Sequence, residues 1–189
     1  MEIYLRYFYS GLVILGIIYI YFLLQKSKDV RTDGFSVLEG FVLLGLVIFG
    51  LAIPHGVYWL IPEFNIPLPE YGYQISIVTM FLAILILLRT FKDLGKQYSP
   101  TLQIFEYHGL ITSGIYKYVR HPMYLTALLL LISQSLSLTN QIGLVSNTIA
   151  FGLLLFLRIP AEEKMLIKEF SMEYTKYTEK TSRIIPFIY

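Results

Sequence analysis

Two polar clusters in this chain contain the residue types that a binding or catalytic site needs. The first spans residues 114–124 and combines an arginine, a histidine and three tyrosines. The second spans residues 158–163 and combines an arginine with two adjacent glutamates. Because two apolar segments lie between the clusters, a helical hairpin would bring them together at its mouth. Ionisable groups at a membrane boundary are costly and usually belong to a site, so the pattern predicts an enzyme.

Each cluster also has a purely structural interpretation. Residues 120–122 could form a basic helix start that anchors the membrane interface, and Glu162-Glu163 could be a solvated first turn stabilised by the helix dipole. Arg158 is harder to explain in this way, because a guanidinium after an apolar run needs a carboxylate, phosphate or headgroup partner. We interpret Tyr174 and Tyr177 as packing residues. The joint occurrence of cationic and acidic groups beside a glycine-containing loop favours a functional site.

Composition restricts the class of protein. Of 189 residues, 56% are hydrophobic and 15% are charged, and the long apolar runs indicate a membrane protein. A net charge of +2 gives no reason to expect a nucleic-acid partner. The absence of cysteine excludes disulfides and thiolate chemistry, and the three histidines lack metal-ligand spacing, so we expect no metal site.

The apolar pattern predicts an all-α integral membrane protein with five transmembrane helices, over residues 3–24, 37–61, 73–88, 124–138 and 142–157. Only residues 139–141 separate the last two, which predicts a tight helical hairpin. Residues 160–181 predict an amphipathic cytoplasmic C-terminal helix that Ser171 divides. We expect one folded unit with two regions, a three-helix membrane region over 1–92 and a catalytic region over 93–189.

Basic residues predict the orientation of these helices. Fourteen of the fifteen Lys and Arg residues fall on one side, and Arg6 alone falls on the other. The positive-inside rule therefore places the N-terminus outside and both polar clusters and the C-terminus in the cytoplasm. Pro122 suits the first turn of the fourth helix, where we expect free backbone N–H groups that could hold an anion.

The sequence resembles the isoprenylcysteine carboxyl methyltransferase family from about residue 93 to the C-terminus. The resemblance rests on 108–116, on Arg120-His121-Pro122-Met123-Tyr124, on Arg158 with Glu162-Glu163, and on the ending that includes 183–186. Size and layout are similar to the short prokaryotic members. Thr126 is a departure, because many relatives have glycine there.

This resemblance implies S-adenosylmethionine as cofactor and a methyl ester as product. It implies Arg158 as the residue that binds the substrate carboxylate and serves catalysis. The implied cofactor positions are His108, Gly109, Leu110, Ile111, Tyr116, His121, Pro122, Met123, Tyr124 and Glu162. A sulfonium methyl is already activated and a carboxylate is already ionised near neutral pH, so catalysis needs alignment rather than a general base. A prenyl tail or similar lipid-like substrate would enter from the bilayer.

Three other functions remain open at this point. Phosphatidylethanolamine methyltransferases share the Arg-His-Pro and Glu-Glu elements and methylate a lipid amine. Membrane sterol reductases share an Arg-His-Pro-x-Tyr element, but they usually have more helices and lack the Glu-Glu pair, so Glu162-Glu163 favours a methyl donor over NADPH. An inactive membrane adaptor is the non-enzymatic alternative.

Overall fold

The computed structural model describes residues 11, 42, 44–67, 70–95 and 109–188. Regular structure within these residues is helical, with two isolated β-bridges. The first predicted segment, residues 3–24, lies outside the described residues except for Gly11. The described residues cover all or part of the last four predicted segments and the C-terminal helix.

Helix α1, Leu44–Leu60, contains a π-helical turn over Ile48–Ala52. This turn directly precedes the α-helical part Ile53–Leu60, in which Pro54 lies at the start. Proline lacks an N–H and collides with the carbonyl four residues earlier, and a wider turn accommodates both effects. The segment therefore contains a π turn directly before the proline, within a helix that continues.

Helix α2, Gly72–Leu94, is longer than the apolar segment that predicts it. It continues through the charged residues Arg89, Lys92 and Asp93 and ends at Gly95, whose φ is +55°. Its 23 residues extend for about 34 Å, which exceeds the thickness of a hydrocarbon core. Asp93 therefore lies in the last turn of α2, at the charged end of the helix.

Helices α3, Pro122–Leu138, and α4, Gln141–Leu153, form the predicted hairpin. Thr139 adopts a left-handed conformation with φ +47°, which reverses the chain. Asn140 then caps α4, and its side chain accepts a hydrogen bond from the Gly143 N–H. Thr126, the residue that departs from the family pattern, is buried and donates to the Pro122 carbonyl at 3.1 Å.

Helix α4 is continuous with the C-terminal helix. A π-helical turn over Leu154–Arg158 joins α4 to helix α5, Ile159–Thr178, without a break. The helix therefore continues through Pro160, whose missing N–H falls in the first turn after the π turn. Ser171 does divide α5 as predicted, because its φ of 46° and ψ of −116° interrupt the helical backbone.

Packing between these helices is typical of a membrane bundle. The buried face of α2 consists of small residues, Gly72, Ser76, Ala83 and Thr90, whereas its large apolar residues face outward. Ser76 donates to the Ser133 carbonyl of α3 at 2.9 Å. Small inward residues with interhelical hydrogen bonds are the arrangement that lipid-embedded helices use.

Within the described ranges, two helices are long and apolar enough to cross a membrane, by length and composition. They are Gly72–Leu94 and Gln141–Thr178, with mean hydropathies of 2.0 and 1.9 over their most apolar stretches. The helices Leu44–Leu60 and Pro122–Leu138 are shorter and also apolar. The lengths and hydropathies of these helices are typical of a helical membrane protein.

Helix α1 and the loop that follows it both form hydrogen bonds with the turn of the α3–α4 hairpin. Ile66 N–H donates to the Thr139 carbonyl at 2.7 Å, and Asn140 Nδ2 donates to the Pro54 carbonyl at 3.1 Å. His55 is buried nearby, with Nδ1 lying 3.0 Å from the Leu51 carbonyl. The polar clusters lie at the opposite end of the hairpin.

Candidate functional site

The structure brings the two predicted clusters together at the mouth of the hairpin. Tyr124, in the first turn of α3, donates its hydroxyl proton to Glu162 Oε2 and accepts a hydrogen bond from Arg158 Nε at 3.0 Å. Arg158 and Glu162 lie one helical turn apart, because the helix continues through Pro160. Tyr124 therefore connects a guanidinium and a carboxylate that the sequence placed 34 and 38 residues away from it.

His121 lies between the two adjacent glutamates. Its Nδ1 is 3.7 Å from Glu162 Oε1, and its Nε2 is 3.4 Å from Glu163 Oε1. The imidazole also contacts the Tyr124 ring, with centroids 5.3 Å apart. Burial opposes the charged imidazole, but hydrogen bonds and charge attraction from Glu162 and Glu163 outweigh it, so the pKa of His121 is raised. The site thus favours an imidazolium.

The loop that precedes α3 supplies the remaining predicted positions. Gly109 is exposed, Leu110, Ile111 and Tyr116 are partly exposed, and His108 lies outside the described residues. A short 3₁₀ helix, Gly114–Lys117, holds Tyr116 beside the helical site. Tyr177 of α5 donates its hydroxyl proton to the Tyr116 carbonyl at 2.6 Å. The packing role expected for Tyr177 therefore includes fixing this loop.

Pro122 and Met123 begin α3, with Pro122 buried and Met123 partly exposed. Two backbone donors directly before this helix are already bonded. Arg120 N–H donates to the Ser182 carbonyl at 2.9 Å, and His121 N–H donates to the Arg183 carbonyl at 3.0 Å. Because the C-terminal tail uses these donors, they are not available to an anionic ligand.

Sequence reasoning missed several residues that shape the site. The Glu163 carboxylate lies within ion-pair distance of Arg120, His121 and Arg183. Arg120 also donates hydrogen bonds to the carbonyls of Thr178 and Thr181. The sequence indicates these residues only by their charge near the two clusters. Their pairing could not be predicted, because the partners are 20 to 61 residues apart in the chain. Among the described residues, no group of three or more His, Asp or Glu side chains could hold a metal ion.

Asp93 is a further residue that the sequence did not single out as part of the site. Its Oδ2 accepts hydrogen bonds from Arg89 Nε at 2.8 Å and from the Ile115 N–H at 2.7 Å. Gly114 precedes that N–H with φ +63°, and a Cβ there would overlap the Asp93 carboxylate. The end of α2 thereby fixes the start of the 3₁₀ helix, and only glycine fits.

Gly114→Ala is therefore expected to weaken the structure more than Gly95→Ala. Both glycines have positive φ, so alanine is strained at either position, by roughly 1–3 kcal/mol. At Gly95 a Cβ meets no atom within 4 Å, whereas at Gly114 it displaces Asp93 and adds about 1–3 kcal/mol for the lost hydrogen bond. Thermal unfolding of the two variants in detergent measures this difference. Equal losses would contradict the docking role of Asp93.

The fold and the site together define a class: a helical membrane protein with an ionisable cluster at the mouth of a helical hairpin. Residues 75–168 match the model of the isoprenylcysteine carboxyl methyltransferase family. This region contains both halves of the site, from α2 through the first turns of α5. The chain belongs to the isoprenylcysteine carboxyl methyltransferase family.

Similar proteins agree with this membership. Protein-S-isoprenylcysteine O-methyltransferase A of Arabidopsis thaliana is 31% identical over 96 residues, which cover 50% of this chain and 49% of that protein. Protein-S-isoprenylcysteine O-methyltransferase of Saccharomyces cerevisiae is 40% identical over 81 residues, 43% of this chain and 34% of that protein. The alignment with the Arabidopsis protein spans about half its length.

A solved structure is also similar. It is described as the eukaryotic intramembrane Ras methyltransferase, an isoprenylcysteine carboxyl methyltransferase, without a monobody. It aligns with a TM-score of 0.48 and 20% sequence identity, and the alignment covers 80% of this chain and 67% of that one.

Proposed function

We propose that this chain is an integral membrane methyltransferase that uses S-adenosylmethionine and esterifies the carboxylate of an isoprenylated cysteine or a similar isoprenoid acid. The observation that carries the proposal is the Arg158–Tyr124–Glu162 arrangement at the mouth of a membrane hairpin. It combines one cation for a substrate carboxylate with one anion for a cationic cofactor. Family membership supplies the reaction class.

Arg158 is the proposed binding group for the substrate carboxylate. Tyr124 accepts from its Nε, and this contact orients the guanidinium, whose planar shape suits a carboxylate. Phe156 and Leu157, which precede it, are 78% and 40% exposed. An apolar substrate tail at this end of α4 would therefore contact exposed apolar side chains, while its carboxylate reaches the arginine.

Glu162 is the proposed binding group for the cofactor ammonium. Its side chain is 28% exposed, and Tyr124 and His121 occupy one side of each carboxylate oxygen. A carboxylate has about four acceptor positions, so Glu162 retains capacity for a charged donor. The Glu162 carboxylate, as an anionic acceptor, therefore fits a cofactor that carries positive charge. The remaining proposed cofactor positions are His108, Gly109, Leu110, Ile111, Tyr116, His121, Pro122, Met123 and Tyr124.

The proposed chemistry needs little from the protein beyond positioning. S-adenosylmethionine supplies a methyl group that is already activated by its sulfonium. A substrate carboxylate is ionised near neutral pH, so no residue has to remove a proton. Arg158 would align the carboxylate oxygen with the methyl group, and the buried surroundings of His121 and Pro122 would exclude water from the cofactor side.

Ligand binding by the detergent-purified protein tests the cofactor. We expect calorimetry to show S-adenosylhomocysteine binding and little NADPH binding, because Glu162 would repel the phosphates of NADPH. Product analysis with labelled S-adenosylmethionine, an isoprenylated cysteine and phosphatidylethanolamine then identifies the acceptor. Preferential NADPH binding would assign the chain to reductase chemistry. Binding of neither ligand would favour an adaptor, and a methylated amine would replace the carboxylate as acceptor.

We infer further that the site faces the cytoplasm. Glu63 and Glu70 flank the loop between α1 and α2, whereas the basic residues lie at the opposite end. Because the chain has no cysteine, single cysteines can report the orientation. Glu70→Cys should react with an impermeant thiol reagent in intact cells, and Lys176→Cys only after permeabilisation. The reverse pattern would place the site away from the cytoplasmic cofactor pool.

A further inference from the structure

The C-terminal tail pairs directly with the backbone at the start of α3. Val119 and Ser182 form a parallel β-bridge, in which Ser182 N–H donates to the Tyr118 carbonyl at 3.2 Å. The Arg183 carbonyl accepts the His121 N–H at 3.0 Å. The tail is therefore attached to the residue whose imidazole lies between the two glutamates.

The side chain of Arg183 also contacts the site, because it binds the Glu163 carboxylate that lies beside His121. Its Nη2 lies 2.8 Å from Glu163 Oε2, and its Nε donates to Glu163 Oε1 at 3.1 Å. Two donors on two carboxylate oxygens form the bidentate geometry that arginine provides and lysine cannot. Arg183 thereby fixes the rotation of the Glu163 carboxylate.

Glu163 is in turn the contact that orients His121 from one side. Its Oε1 lies 3.4 Å from His121 Nε2 and 3.2 Å from Arg120 Nε. The Glu163 and Arg120 side chains are only 12% and 10% exposed, whereas Arg183 is 34% exposed. Arg183 thus closes the outer side of a largely buried charge cluster.

Charged and titratable groups surround the His121 imidazole on each element that packs against it. Glu162 and Glu163 face it from α5, Tyr124 contacts it from α3, and Arg120 and Arg183 reach it through Glu163. Tyr174 of α5 is buried and lies within electrostatic range of both glutamates. Since the tail supplies one of the two arginines that neutralise Glu163, it controls how strongly Glu163 attracts the imidazole proton.

We propose that Arg183 is a positioning residue of the site, which holds Glu163 and thereby sets the orientation and charge of His121 for cofactor binding. This inference rests on the proposed function for its binding readout. It assigns the C-terminal tail to the site, although the tail follows the region that matches the family model. Arg183 acts through Glu163.

Titration of the histidines tests the proposal in the full-length protein. The chain has only His55, His108 and His121, so labelled-histidine NMR in detergent can be assigned with His55→Gln and His108→Gln. Arg183→Gln should raise the His121 titration midpoint, because a cation is removed from the carboxylate that faces the imidazole. The same variant should bind S-adenosylhomocysteine about tenfold more weakly.

Lys180→Gln is the matched control. Lys180 is exposed near the same end of the chain, and its loss changes the net charge by the same amount. Its binding should stay within about twofold of the unmodified protein, as expected for an exposed charge. Arg183→Lys keeps the charge but loses the bidentate contact, so its midpoint should stay near that of the unmodified protein while affinity falls about threefold.

A His121 midpoint in Arg183→Gln equal to that in Lys180→Gln would overturn the proposal, even if Arg183→Gln unfolded earlier. Unchanged S-adenosylhomocysteine affinity would overturn it as well. If Arg183→Gln does not fold, Arg183→Lys decides, and affinity equal to that of the unmodified protein would refute the positioning role. If the unmodified protein does not bind S-adenosylhomocysteine, the proposed function fails instead, whereas the titration can still be read.

Discussion

Arg158→Ala is expected to lower the rate of methyl transfer by about a hundredfold or more, and to change S-adenosylhomocysteine binding by less than about threefold. The guanidinium is proposed to hold the substrate carboxylate, and loss of a charge-assisted contact in a water-poor site costs a few kcal/mol, about two decades in rate. Steady-state kinetics with a prenylated acceptor and calorimetry with S-adenosylhomocysteine measure the two effects.

Two variants control for indirect effects of the Arg158 change. Lys164→Ala removes a cation from an exposed position on the same helical stretch and should leave the rate nearly unchanged. Tyr124→Phe removes the hydroxyl that accepts from Arg158 Nε, and it should reduce the rate less than the loss of the guanidinium does. Equal losses of rate and cofactor affinity in Arg158→Ala would contradict separate roles for Arg158 and Glu162.

Glu162→Gln is expected to weaken S-adenosylhomocysteine binding by about ten- to a hundredfold. Glutamine keeps the shape of the side chain and can still accept from the Tyr124 hydroxyl, but it lacks the charge that would attract the cofactor ammonium. Titration calorimetry of the purified variant measures the change. Glu169→Gln, at an exposed position on the same helix, removes an equal charge and should bind normally.

The structural alternative makes a different prediction for these residues. If Arg158, Tyr124 and Glu162 only tie α3 to α5, then Arg158→Ala and Glu162→Gln should both lower the unfolding temperature and leave cofactor affinity unchanged. Thermal unfolding recorded beside the binding measurements separates the two cases. Normal affinity in Glu162→Gln together with earlier unfolding would exclude the proposed cofactor contact.

Prediction from sequence succeeded where the signal is local or periodic. The short connection at 139–141 predicted the hairpin, and Ser171 predicted the interruption of α5. The continuation of the helix through Pro160 could not be predicted in this way, because proline is a strong helix-ending signal on its own. A π turn over Leu154–Arg158 accommodates that proline, and the residue types in this turn do not predict a π turn.

Within the candidate site, charge and spacing were enough to bring Tyr124, Arg158 and Glu162 to one place. They were not enough to separate the two glutamates. Glu162 is partly exposed at the mouth, whereas Glu163 is buried among Arg120, His121 and Arg183. Adjacent residues on a helix differ by about 100° in direction, so only the packed neighbours decide which one faces a ligand.

The sequence by itself determined the membrane character, the hairpin, the meeting of the two clusters and the resemblance to a methyltransferase family, because each follows from composition, period or motif. Only the tertiary structure decided that Asp93 docks the loop through Gly114, and that the C-terminal tail occupies the backbone donors of Arg120 and His121. These contacts join residues 22 to more than 60 positions apart. Their partners are chosen by three-dimensional packing, which leaves no periodic trace in the chain.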